Sequence, residues 1–123
     1  MSNAKASAAK IYELANTNDV EALESVLDKY DLGELNLEFR DRHGYTPLIK
    51  SCIKGHIKCA QLLVQHKADL TARDKWGNTS LICAASSGHP NIIKHLLTIG
   101  ANINTKGQLS KTALDWAKTC NKT

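Results

Sequence analysis

Apolar residues recur along this chain at three- and four-residue steps, in short runs punctuated by glycine. Ile57, Ala60, Leu63 and Val64 form one such stripe, and Ile92, Ile93, Leu96 and Leu97 form another. That spacing puts each set on one face of a helix. A shorter helix is predicted ahead of each stripe, about eight residues long, beginning after Thr46 or Thr79 and stopping at Gly55 or Gly88. A threonine oxygen can accept from the free N–H groups of a first helical turn. Pro47 at the first helical position forfeits no needed donor, and Pro90 falls early enough in its helix to be tolerated. Glycine is the usual left-handed residue after a helix.

The two helix pairs are copies. A shift of 33 residues superimposes Asp41 on Asp74, Gly44 on Gly77, Thr46 on Thr79, Leu48 on Leu81 and Ile49 on Ile82. It also superimposes Gly55 on Gly88, His56 on His89, Leu63 on Leu96 and Ala68 on Ala101, making nine identities in 33 positions, all at turn, cap or core sites. A further shift brings Thr79 onto Thr112, Leu81 onto Leu114 and Ala84 onto Ala117, so a third unit starts and runs through its first helix. Towards the N-terminus, Val20, Val26 and Leu27 match Ile57, Leu63 and Val64 at an offset of 37, which puts an insertion near Tyr30–Leu35. The expected organisation is one domain: a capping unit over 5–40, repeats over 41–73 and 74–106, and a partial unit over 107–123. A lone helix pair cannot bury its stripe, so the pairs must stack into an elongated slab with one continuous core. Gly44 and Gly77 are expected to take positive φ in the Asp-x-x-Gly turn between units.

Composition changes this picture little. With 42% apolar residues and a net charge of +4 the chain is expected to fold, and its mild basic excess falls short of a nucleic-acid binder's footprint. Its longest apolar run, Leu81–Ala85, is five residues, against the roughly 20 of a membrane span. Cys52, Cys59, Cys83 and Cys120 show no C-x-x-C pair and no zinc spacing with histidine, so they read as buried thiols in a reducing, intracellular and cytoplasmic setting. His43, His56, His66, His89 and His95 form no H-E-x-x-H. The glycines are too far apart for a phosphate loop, and Asp41 and Asp74 read as turn-stabilising equivalents rather than a catalytic pair. No metal, cofactor or catalytic residue is expected.

These motifs resemble ankyrin repeats. Asp41-Arg42-His43-Gly44-Tyr45-Thr46-Pro47-Leu48 and Gly55-His56 match the pattern of that family, as do Asp74–Thr79, Gly88-His89 and Gly100-Ala101-Asn102-Ile103-Asn104. Thr112–Lys118 looks like the first helix of a terminal repeat. The resemblance implies an all-α solenoid of stacked antiparallel helix pairs and a structural role for His56 and His89 in bonding neighbouring loops. It further implies a non-catalytic, protein-binding function through turn tips and the inner face of the first helices. Two departures stand out. Ile49 and Ile82 replace the family's histidine, so its hydrogen bonds must be absent or replaced. The third unit lacks a second helix, which predicts exposed apolar surface around Trp116.

Positions that vary between copies while the frame stays fixed are the natural recognition sites. They are Arg42, His43 and Tyr45 in one turn, Lys75, Trp76 and Asn78 in the next, and Gln108, Leu109 and Lys111 in the third, preceded by Arg40, Arg73 and Lys106. The first helices end there in Ile53-Lys54 and Ser86-Ser87. Trp, Tyr and Arg dominate binding hot spots, so the expected partner is a protein carrying acidic or phosphorylated groups beside an apolar knob. The alternative is a nucleotide or short single-stranded RNA held by the same basic and aromatic stripe. A monomer is expected, with self-association through the uncapped end as the other possibility.

Overall fold

The computed structural model describes residues 3–30 and 35–120. Among these described residues seven α-helices follow in order: α1 Asn3–Asn16, α2 Val20–Lys29, α3 Pro47–Lys54, α4 Ile57–Gln65, α5 Ser80–Ser87, α6 Pro90–Thr98 and α7 Ala113–Cys120. A 3₁₀ turn, Gln108–Ser110, precedes α7. The inserted stretch between the first two units falls mostly on 31–34, outside the described residues. Helices α1, α3, α5 and α7 stack side by side as an inner row, and α2, α4 and α6 form an outer row behind them. Leu23, Leu27, Leu48, Leu63, Leu81, Ile92 and Leu96 interlock between the rows in one continuous core.

Local chemistry sets each boundary. Thr46 Oγ1 accepts from Ile49 N at 3.2 Å, and Thr79 Oγ1 accepts from Ile82 N at 3.4 Å. Gly55 and Gly88 close α3 and α5 in the left-handed region. Thr112 and Asp115 cap α7 reciprocally: Thr112 N donates to the Asp115 carboxylate at 2.9 Å, and Asp115 N donates to Thr112 Oγ1 at 3.2 Å. That exchange, led by the backbone donor, holds the Asp115 carboxyl below the ordinary carboxylate range. Ile49 and Ile82, standing where the related repeats have histidine, are buried; the histidine's hydrogen bonds are replaced by apolar packing. Leu97 departs from its predicted burial and is 37% exposed. It lies on α6, the last outer-row helix among the described residues.

The turns between units are tied to one another by hydrogen bonds. Asp41 Oδ1 accepts from His43 N and Tyr45 N at 2.8 and 3.0 Å, and Asp74 Oδ1 accepts from Trp76 N and Asn78 N, both at 2.9 Å. Lys75 N donates to His43 O at 3.0 Å, which locks the second turn onto the first. Arg40 and Arg73 each clip their own turn to the next: Arg40 donates to Gly44 O and Arg73 O, and Arg73 donates to Gly77 O and Lys106 O. The histidines join helices: His56 Nδ1 reaches Ala15 O and His89 Nε2 reaches Ile53 O, each at 2.9 Å.

Burial works to raise the Asp41 carboxyl, but hydrogen bonds from the Tyr12 hydroxyl and the Tyr45 and His43 N–H groups outweigh it, and the group stays charged below its ordinary range. A depressed folded-state value means that the stabilisation is complete above the unfolded value, near 3.8, and is lost as pH falls through the folded one. Asp41→Asn keeps the acceptor but not the charge. It is expected to cost about 1 kcal/mol at neutral pH, the difference between charged and neutral acceptors, and urea melts should show that gap closing below about pH 4. A gap that widens in acid would contradict the assignment.

Gly44 and Gly77 have φ of +78° and +86°, which carries a cost of about 1–2 kcal/mol for any side chain. A Cβ on Gly77 would meet nothing within 4 Å, whereas one on Gly44 would stand 2.8 Å from Lys75 N and 3.2 Å from the Asp74 backbone. Gly77→Ala should therefore lose only that conformational cost, and Gly44→Ala visibly more. Equal losses in thermal melts would refute the close approach of the two turns.

Candidate functional site

The tips of the first two turns carry an aromatic cluster. The rings of His43 and Trp76 stack with centroids 5.9 Å apart at 18°, and Tyr45 leans on both at 5.3 and 6.1 Å. Two lysines stand over these rings: Lys75 Nζ is 4.8 Å from the Trp76 centroid, and Lys50 Nζ is 5.3 Å from that of Tyr45. The close packing follows from the hydrogen bond between Lys75 N and His43 O, which brings successive turns together and leaves their side chains one above another. Trp76 nevertheless remains 39% exposed.

Beside this cluster lies an open groove of about 370 Å³, bounded by turn residues on one side and inner-row helices on the other. Tyr45, Trp76 and Gln108 form its turn wall. Ile53 on α3 and Ser86 and Ser87 on α5 form its helix wall, with Asp74 and Cys83 at the floor. Burial raises the Tyr45 phenol above its ordinary range, helped by Cys83, Asp74 and Asp41 nearby. It also pushes up the Cys83 and Cys52 thiols, so neither supplies a thiolate nucleophile at neutral pH. Cys52, Cys59 and Cys83 are buried and unbridged.

The recognition stripe expected from the sequence is divided by the structure. Tyr45 and Trp76 meet at the groove, His43 and Lys75 pack on their rings beside it, and Arg42 is exposed on the first of these turns. Asn78 lines the same groove but is largely covered. It is 7% exposed, and its Oδ1 accepts from Gln108 N at 2.8 Å, so it fastens the third turn to the second. Gly107 stands where the other units have aspartate because a Cβ there would lie 2.2 Å from Asn78 Oδ1. Lys111, the equivalent position of the third unit, stands 4.4 Å above the Trp116 ring on α7. That ring is half-buried, and the exposed apolar surface of this end is instead Leu109 and Leu114. Arg40 and Arg73 are engaged as clips. Lys50, whose equivalent in the next unit is Cys83, joins the cluster because α3 places it over Tyr45.

Among the described residues no group of three or more His, Cys, Asp or Glu is arranged to hold a metal, and no helix is long and apolar enough to cross a membrane. A search of the curated proteins found no match. A family model described as ankyrin repeats, in three copies, matches residues 8–107. Such repeats are in general protein–protein interaction modules and are typically non-enzymatic. With that match spanning most of the sequence, and with its helix pairs, left-handed glycines and histidines bonded to the preceding inner helix in place, the chain belongs to the ankyrin-repeat family.

Proposed function

We propose that the chain binds a partner protein in the groove between its turn tips and inner helices, without catalysis. The observation that carries this reading is the meeting of Tyr45 and Trp76 at an open groove on a frame whose backbone is already fixed. A preformed surface loses little conformational entropy on association, and half-exposed aromatic rings supply large contact area with few torsions to freeze. Lys50, Lys75 and Arg42 surround the rings with positive charge, which favours a partner segment carrying acidic groups beside an apolar or aromatic side chain. Lys111 lies along the same face at the next unit and extends the basic edge.

The single-stranded RNA reading has less support. A phosphate backbone tracked along the groove would face the Asp74 carboxylate at its floor, and a net charge of +4 is small for such a site.

A partner isolated by affinity capture on the native chain should bind the double variant Tyr45→Ala, Trp76→Ala at least tenfold more weakly by calorimetry, while the helical circular dichroism signal is retained. Its association rate should fall with added salt, as expected for charges meeting at a rim. Undiminished affinity of the double variant would reject this face. A salt-sensitive affinity for single-stranded RNA, lost in the same variant, would favour the alternative.

A further inference from the structure

Asp41 and Asp74 occupy equivalent places in successive units, and their Oδ1 atoms do the same work on the turn backbone. Their Oδ2 atoms do not. At Asp41 the second oxygen accepts from the phenolic hydroxyl of Tyr12, which reaches it from α1, the inner helix of the preceding unit, with its ring packed on Phe39 at 5.3 Å. At Asp74 the preceding inner helix is α3, and the side chain it sends to the groove is Ile53, which has no donor. Among the described residues Asp74 Oδ2 meets only the Cys83 thiol, at 3.7 Å, a weak donor. Lys50 makes no ion pair with it, its ammonium group standing over the Tyr45 ring. Asp74 is 7% exposed, and it sits at the floor of the groove whose wall is Tyr45 and Trp76.

A buried carboxylate oxygen short of a strong donor is costly, and the cost is relieved by any ligand that brings one. We propose that the groove takes a tyrosine side chain of the partner, its ring lying against Trp76, Tyr45 and Ile53 and its hydroxyl donating to Asp74 Oδ2. The partner would thus supply at Asp74 what Tyr12 supplies within the chain at Asp41. A neutral phenol suits the place better than an ammonium group, because Lys50 and Lys75, standing over the Tyr45 and Trp76 rings, already bring positive charge beside the groove and repel a second cation. It also suits it better than a phosphotyrosine, whose charge would face the carboxylate. This assignment rests on the binding reading above, since it names the side chain that the same groove receives.

The test is a two-dimensional NMR titration of the whole chain with N-acetyl-tyrosinamide, N-acetyl-phenylalaninamide, N-acetyl-O-phosphotyrosinamide and n-butylammonium, following the Trp76 indole and the Tyr45 and Asp74 amides. The tyrosine compound is expected to bind about tenfold or more tightly than the phenylalanine compound, the factor that a hydrogen bond to a charged acceptor supports. The phosphorylated compound should be the weaker of the two tyrosine forms. In Asp74→Asn the turn acceptor is kept and the tyrosine preference should vanish. In Lys50→Met it should persist.

Equal binding of the tyrosine and phenylalanine compounds, no binding of either, a preference that survives Asp74→Asn, or a preference that emerges only in Lys50→Met would each overturn the proposal. So would stronger binding of n-butylammonium. Should the tyrosine compound fail while a captured partner still depends on Tyr45 and Trp76, the groove remains the binding face and only its occupant is wrong. Should the partner be indifferent to both rings, the groove itself is wrong. Comparison of the two compounds on the native chain decides the matter even if Asp74→Asn does not fold.

Discussion

Burial that no helix pair can achieve alone is the constraint on which this structure depends. Each pair has an apolar stripe on one side of each helix, and only the next pair covers it. Leu63 on α4 and Leu96 on α6 are equivalent residues of successive units, both inaccessible to solvent, and both belong to a core that continues from Ile11 and Leu23 in the first unit to Ala113 in the last. Stacking also brings the turns into register. Once α3 lies against α5, the His43 carbonyl faces Lys75 N, and Arg40 and Arg73 can each reach across one repeat. Backbone polarity left over from short helices is thereby satisfied between units rather than within them.

The same stacking creates the groove. Residues 33 apart in sequence come to lie side by side, so variation at one turn position becomes variation along a line in space. His43 and Trp76 are equivalent residues, and their rings stack face to face. Tyr45, Asn78 and Lys111 are also equivalent, yet their fates differ: a ring at the groove, a buried tie to the next turn, and a cation over Trp116. The frame therefore decides where a side chain can point, and the chemistry of the individual residue decides whether it serves the frame or the surface.

Much of this was legible in the sequence because it depends on local rules. Thr46 and Thr79 announce helix starts, Gly55 and Gly88 announce stops, and the 33-residue spacing of Asp41 and Asp74 announces the turn. What escaped depends on contacts between units. Variability alone marks Asn78 for recognition; that it is also a largely buried tie to the third turn is signalled by Gly107, a glycine at the aspartate position, which marks a close approach. Arg40 and Arg73 looked like a basic edge, and only the geometry of neighbouring turns shows that their guanidinium groups are spent on carbonyls. Leu97 fits the helical stripe as well as Val64 does, and its exposure follows from its place on the last outer-row helix among the described residues rather than from its spacing. The unequal partners of Asp41 and Asp74 were likewise hidden, because Tyr12 comes from a unit whose register the insertion near Tyr30–Leu35 disturbs.

Interdependence of the units is measured most directly by native-state hydrogen exchange on Leu63→Ala, which opens a cavity in α4 at a cost of about 2–5 kcal/mol. If neighbours shelter one another, amide protection should fall in α5 and α6 together with α3 and α4, because the repeats open as a coupled unit. Protection lost only in α3 and α4, with the following pair unchanged, would show that each pair stands by itself and would contradict this account of the fold.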